Sequence, residues 1–391
     1  MTKNKLCLYD KLTGAPIELI EHTEYSDCFF FKVWGALWLA QSSKNLPLMH
    51  FILNNLLFLL VALPCLWFTQ SHMVGLGYLL VHYFLFFGRY MCYIHEYSHT
   101  QVFKNRKLGS LITNVLVGQF HGLPFNSYYI NHVIMHHKGA NKWNWDLSSC
   151  VKYDRMSKSH FLYYWVRHYT PITFPIDMVY VCFLYKKYGY GFVYFVTVLT
   201  WYGIIYLGMN SQYHVFVLWT MLVPLFLTGF FGACGGWMQH MFVHPTKPDK
   251  WYSFDIINSV ANTKGFNQGF HNTHHTLGHL HWTEVPNGFY ELLPEYTKDN
   301  VLIMHTLDNV QILWLVLSGQ LEELAKYMVT TNPCKTPLED CVRMLRLHLL
   351  PIKYSISSME MGLLLFLLIF KFAYDQDPAM LKQWWNDWKE M

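Results

Sequence analysis

The stretch Phe266–Trp282, FNQGFHNTHHTLGHLHW, decides how the rest of the chain is read. Within it His271, His274 and His275 form an H-x-x-H-H group, and on a helix positions i, i+3 and i+4 share one face. Three neutral imidazoles converging on one point are a ligand set for a late first-row transition metal. Histidines also cluster on solvated helix faces, so the group gains weight only from what the chain sets beside it.

Composition sets a membrane beside it. Of the 391 residues 53% are hydrophobic, 18% aromatic and only 14% charged, against roughly 25% charged in an average soluble domain. Nine cysteines are scattered without a C-x-x-C pair, the usage of reduced thiols facing the cytosol or buried in lipid-contacting helices. The N-terminal residues are not followed by an apolar core of the signal-peptide kind, so no cleavable signal is expected. The net charge of +4 is small, and no nucleic-acid partner is expected.

Residues 28–41 (CFFFKVWGALWLAQ) are apolar but too short to span, which predicts an interfacial amphipathic helix. Residues 47–68 (PLMHFILNNLLFLLVALPCLWF) would make a helix about 33 Å long, enough to cross a bilayer. Asn54 and Asn55 within it are expected to face other helices. A second span is predicted from His72 to Ile94, a third from Tyr188 to Met209 and a fourth from Tyr213 to Trp237. The stretch 172–185, interrupted by Pro175, reads as an interfacial connector. The run at 356–374 fits either a fifth span or a surface helix. The turns 69–71 and 210–212 carry no Lys or Arg, whereas 95–187 carries eleven and the first 46 residues five. The positive-inside rule then places the N-terminus, the middle loop and the chain after the fourth span in the cytosol.

Two further histidine groups lie on that same side. HEYSHT follows the second span, with His95 and His99 at i and i+4. NHVIMHHKG lies in the middle loop, with His132, His136 and His137 at i, i+4 and i+5. The only two His-His dipeptides of the chain fall inside these groups and the one at 271–275. Topology read from charge and hydropathy alone thus puts three histidine groups on one face of the membrane, which unrelated surface histidines would not do.

As a set, HEYSH, HVIMHH and HNTHH after two hydrophobic hairpins resemble the three histidine boxes of the membrane-bound fatty acid desaturase and hydroxylase superfamily. The resemblance covers about residues 47–290. It implies an all-α integral membrane fold, with four transmembrane helices in two hairpins and a cytosolic helical cap holding a histidine-ligated diiron site. Residues 1–46 would be an N-terminal cytosolic or interfacial segment and 291–391 a C-terminal one. It also implies one more histidine between the fourth span and the last box. GGWMQHMFVHP offers His240, 31 residues before His271, as first choice, and His244, ahead of Pro245, as second. The expected metal ligands are therefore His95, His99, His132, His136, His137, His240, His271, His274 and His275. The middle box departs from the common H-x-x-H-H by one residue, which on an α-helix rotates His132 by about 100° from its counterpart.

The cofactors implied are two iron ions, with O2 as co-substrate, and the reaction an O2-dependent desaturation of a fatty acyl chain or a related lipid. Hydroxylation on the same scaffold is the alternative, and a histidine-rich metal transporter the alternative of another class. Transporters place ligands inside the spans near the midplane, whereas these groups lie outside them. No H-P-G-G haem motif and no G-x-G-x-x-G fingerprint occur, so electrons are expected from a separate cytochrome b5, or from a ferredoxin with its reductase. Asp146, Glu96, Asp255 and Asn267 are candidates to hydrogen-bond ligand rings or water. His279 and His281 suit packing or head-group roles, and His50, His82 and His214 sites among helices or at interfaces. The location implied is the endoplasmic reticulum of a eukaryote or the inner membrane of a bacterium.

Overall fold

The computed structural model describes residues 7–19, 36–142 and 145–352. Residues 28–35 of the expected interfacial helix and the 356–374 run lie outside the described residues. Among the described residues, Ser43–Thr69, Tyr188–Met209 and His214–His240 are long and apolar enough to cross a membrane. They correspond to the first, third and fourth expected spans. The second is helical without a break through His72–His82, Tyr83–Phe87 and Gly88–His99. It has the length to span, but His72, His82 and Arg89 make it less apolar, and it does not stand among those three.

The reversals are built by local chemistry. Pro47 sits in the first turn of the Leu46–Thr69 helix, where its missing N–H costs nothing. Gln70 ends that helix in the left-handed region at φ 45°, and Ser71 caps the next one by accepting from the Val74 amide at 3.5 Å. At the other hairpin, Asn210 and Ser211 side chains donate to the Tyr206 and Gly208 carbonyls at 2.7 and 2.8 Å, which would otherwise be unsatisfied at a helix end. The two turns meet. Trp67 stacks on Tyr213 at 3.9 Å, and Trp219 Nε1 donates to His72 Nδ1 at 3.1 Å. The 172–185 connector forms a helix, Thr173–Leu184. Pro175 lies in its first turn and interrupts nothing.

The expectation of an all-α fold needs correction. A five-stranded sheet joins β1 (Leu8–Asp10), β2 (Pro16–Ile17), β3 (Asp255–Ile257), β4 (Ile303–His305) and β5 (Met328–Thr330) in the order β2-β1-β5-β4-β3. β3 and β4 are parallel and the remaining pairs antiparallel. Its strands come from both flanks and from the segment before the last histidine box, and none exceeds three residues. The helix Val285–Asp299 runs through the expected boundary at residue 290, and one compact unit extends to Ile352.

Arg155 ties the middle loop to this unit. It is fully buried, and its guanidinium donates to the carbonyls of Met241 at 2.7 Å, Val151 at 2.6 Å, Tyr153 at 3.2 Å and His348 at 3.1 Å, and to that of Leu350. Buried charge is tolerable only when its donors are used up in this way. The residue that follows His240 is thereby locked to the C-terminal flank.

Candidate metal centre

The nine expected ligands come together in two groups. His95, His99, His132, His137 and His274 form one, and His136, His240, His271 and His275 the other, each with ring nitrogens within 4.8 Å of one another. Each His-His dipeptide sends one ring to each group, because neighbouring residues on a helix point about 100° apart. That is the physical use of two adjacent histidines.

His132 belongs to the five-histidine group despite the extra residue in its box. Ile130–His136 is not an α-helix but a π-helix, in which the His137 amide bonds back to the His132 carbonyl. The wider i→i+5 turn takes up the additional residue. His132 Nε2 then lies 3.0 Å from His99 Nε2 and 3.1 Å from His137 Nε2.

The groups are closed by nitrogen–nitrogen contacts. His136 Nε2 lies 2.9 Å from His240 Nε2 and 3.2 Å from His275 Nε2, and His271 Nε2 is 3.0 Å from His240 and 3.1 Å from His275. His274 Nε2 is 3.1 Å from His137 Nε2. Where the Nδ1 proton points outward, as at His136 and His240, the inward Nε2 carries a bare lone pair. Lone pairs facing each other at this distance repel unless a cation lies between them. Imidazole–metal bonds of about 2.1 Å put neighbouring ligand atoms about 3 Å apart. The donor set therefore fits a metal in each group.

Burial enforces the neutral form that metal ligation needs. It lowers the imidazole of His99 to about 4 and that of His137 to about 2, with neighbouring imidazoles adding to the effect. His132, His271, His274 and His275 are held well below the ordinary value for the same two reasons.

The outward nitrogens are partly fixed. His136 Nδ1 is 2.6 Å from Oδ2 of the fully buried Asp146, whose Oδ1 accepts from the Ser148 amide at 3.0 Å and hydroxyl at 2.7 Å. Burial pushes the Asp146 carboxyl up, but His136 and these hydrogen bonds outweigh it and leave it below its ordinary value. His240 Nδ1 donates to the Tyr252 carbonyl at 3.0 Å. His95 Nδ1 lies 3.1 Å from Glu96 Oε1, a carboxyl that burial raises to about 8. Gln268 Nε2 lies 2.7 Å from the same ring nitrogen and 2.6 Å from Glu96 Oε1. Gln268 and the Tyr252 carbonyl carry no motif in the sequence, and nothing there would have singled them out.

Other expectations are placed elsewhere. Asp255, in β3, accepts from the Thr273 amide and hydroxyl at 3.0 and 2.7 Å, so it fixes the helix of the last box rather than a ring. Burial raises its carboxyl to about 6 against those bonds. Asn267 donates to the Trp282 carbonyl at 3.0 Å and shapes the loop. His244 lies outside both groups. Its Nε2 donates to the Asp299 carbonyl at 2.7 Å and its Nδ1 accepts from the Lys247 amide at 3.1 Å. His281 bonds Asn45 and Thr283, at 2.8 and 2.9 Å, and His279 is exposed. His50 and His82 are buried among helices, and His214 lies at a hairpin turn with its Nδ1 3.2 Å from the Ser211 carbonyl. Asn55 reaches across to His121 at 2.8 Å, while Asn54 bonds the His50 carbonyl of its own helix at 2.7 Å.

Against the histidines lies a cavity of about 650 Å³. His95 and His132 of one group and His136, His240 and His271 of the other reach its wall. From there it follows apolar residues of the His72–His99 and His214–His240 helices, among them Met91, Phe87, Phe231 and Leu225.

Helices long and apolar enough to cross a membrane thus stand with two polyhistidine groups, each able to hold a metal ion, beside one hydrophobic cavity, the layout of a membrane-type histidine metal site. The model of the fatty acid desaturase family matches residues 69–307, and the chain belongs to that family. Its members are oxidoreductases that use iron and act on lipids. Neither the curated proteins nor the solved structures compared with the chain give a match.

Proposed function

We propose that this protein is an O2-dependent acyl-lipid desaturase, with two iron ions held by the nine histidines, five at one and four at the other. The observation that carries the reading is the apolar cavity ending on rings of both groups. Iron activated by O2 supplies the oxidising power to break an unactivated C–H bond, which no side chain can do alone. What the chain contributes is placement and exclusion. The cavity wall of Met91, Tyr128, Phe87 and Phe231 aligns an extended acyl chain and keeps water from it. Asp146 and the Tyr252 carbonyl hold the outward nitrogens of His136 and His240, and so fix which nitrogen faces inward.

The four-histidine group has one ring fewer than its neighbour, which suits it to a further small ligand. We further read the four helices His72–His99, Ser43–Thr69, Tyr188–Met209 and His214–His240 as two hairpins with the histidines at the cytosolic surface. The eleven basic residues of 95–187 support that side. The exposed ones among them also suit an acidic electron carrier such as cytochrome b5 or a ferredoxin. The reaction is tested by lipid profiling of a host expressing the protein or its His271→Ala variant. New double bonds with the wild type and none with the variant are expected. New hydroxyl groups without double bonds would replace desaturation by hydroxylation.

A further inference from the structure

We propose that the cavity is filled sideways from the bilayer, through the cleft between the His72–His99 and His214–His240 helices, and that its occupant is the acyl chain of a membrane-resident lipid. This rests on the acyl-lipid reading above and names the substrate class.

Three observations converge. First, the cavity reaches the lipid-facing surface. Phe84 and Phe231 both line it, and they are 88% and 43% exposed. Phe231 lies on a helix apolar enough to span. Counted back along their helices, these residues stand roughly 16 Å from His95 and 14 Å from His240, at 1.5 Å per residue. The opening is thus at bilayer depth, well away from the histidine end.

Second, the cleft is held at its far end and slack in the middle. Gly75 sits so close to Trp219 that a Cβ there would come within 2.2 Å of the indole. Tyr83 Oη bridges to the Pro224 carbonyl and Thr228 Oγ1, both at 3.2 Å. Nearer the histidines the cleft is crossed by a ring contact, Phe87 with Phe231 at 5.3 Å. Such a contact can part without breaking a hydrogen bond. Gly88 and Gly235 line the cavity beside it, and a Cβ on either would meet nothing within 4 Å.

Third, the charge pattern suits no polyphosphate carrier. Among the described residues that line the cavity, none is Lys or Arg. Arg89, on the same helix, lies over the rings of Phe51 and Phe266 instead, at 5.6 and 5.7 Å. A soluble thioester bearing a nucleotide diphosphate would need cations along its path. A bilayer lipid leaves its head group at the surface and sends in only hydrocarbon.

The test uses the full-length protein in phosphatidylcholine vesicles doped with phosphatidylcholine carrying a diazirine in its acyl chain. After illumination, adducts are mapped by mass spectrometry, which needs neither metal nor turnover. Adducts are expected on cavity residues Met91, Cys92 and Met238 as well as on the outward Phe68. Gly88→Leu and Gly235→Leu should lower the cavity adducts at least fivefold and leave Phe68 labelling unchanged. Gly77→Leu also projects into open space but lies off the cavity, and it should change neither. Excess soluble long-chain acyl-CoA should not compete. A cavity that stays unlabelled while Phe68 is labelled overturns the proposal, and so does loss of cavity adducts on adding acyl-CoA. Cavity adducts without any double bond in the host lipids would leave the lateral opening standing and remove the desaturase reading. Double bonds formed from acyl-CoA with an unlabelled cavity would do the reverse.

Discussion

Asp146→Asn isolates what one buried carboxylate does for the four-histidine group. Asp146 is fully buried and both its oxygens accept: Oδ1 from the Ser148 amide and hydroxyl at 3.0 and 2.7 Å, Oδ2 from His136 Nδ1 at 2.6 Å. Asparagine has the same shape but a single acceptor oxygen. If that oxygen stays on Ser148, the new NH2 faces His136 Nδ1. The ring must then shift its proton to Nε2, and a protonated Nε2 cannot bind metal. If the oxygen turns to His136, the NH2 faces the Ser148 amide and two buried donors are left opposed. Either way a charge-assisted bond worth about 1.5–3 kcal/mol is lost. That corresponds to about 10–100-fold in metal affinity. The assay is iron content of the purified protein, with Co(II) titration of the metal-free form followed by its absorption. Wild type should titrate at two sites per chain. The variant should keep the five-histidine site and weaken the other by one to two orders of magnitude. Ser148→Ala, which keeps the carboxylate, should weaken it less than threefold. Two unchanged sites in Asp146→Asn would refute the role assigned to this carboxylate.

Three other outcomes are expected. His240→Ala should lose metal from the four-histidine group and all activity, whereas His244→Ala should keep both and lose about 1–2 kcal/mol of stability, since its bonds are structural; iron analysis and thermal unfolding read the pair. His168 is buried beside Asp177, and burial lowers its imidazole to about 4. The unfolded chain takes up this proton below about 6.5 and the native state only near 4, so stability should fall as pH drops through that window, by up to about 3 kcal/mol; His168→Asn should flatten the decline in a pH series of melting temperatures. Single cysteines at Gln70 or Gln212 in a background without native cysteines should react with an impermeant maleimide from the non-cytosolic side, and one at Lys158 from the cytosolic side; the opposite pattern would separate the histidines from a cytosolic electron donor.

How much of this was legible in the sequence depends on how local the cause is. The three helices that pass as spans stand within a few residues of where hydropathy places them, because a run of apolar residues carries its own reason to be helical in lipid. The nine histidines that converge are the nine named from three boxes and the end of the fourth helix. The sheet was not legible. Its two- and three-residue strands have no room for an alternating pattern, and each exists only because a partner distant in sequence offers an edge. Gln268 and the Tyr252 carbonyl were equally hidden, since any residue can present a carbonyl and one amide among many has no signature. Asp255 shows a subtler loss. A carboxylate near a box can serve a ring or the backbone beneath it, and only the path of β3 decides for Thr273.

The middle box shows what residue spacing alone leaves open. H-x-x-x-H-H swings His132 off the ligand face only if the helix stays α-helical. The same six residues in a π-helix keep it there, and the sequence does not state which turn they take. The π-turn serves both sides of it at once. His132 contacts His99 and His137 at 3.0 and 3.1 Å, and His136 reaches Asp146 at 2.6 Å. A plain α-turn would satisfy one set and forfeit the other. π-turns interrupt the Tyr83–Phe87 and Leu218–Leu222 stretches as well. Both lie on the helices that flank the cavity, where an inserted residue turns side chains to a new face without ending the helix. In this chain the inserted residue in the middle box is thus part of the geometry that brings His132 into the five-histidine group. Deleting Ile134 to restore the common spacing should displace His132 instead of improving the site.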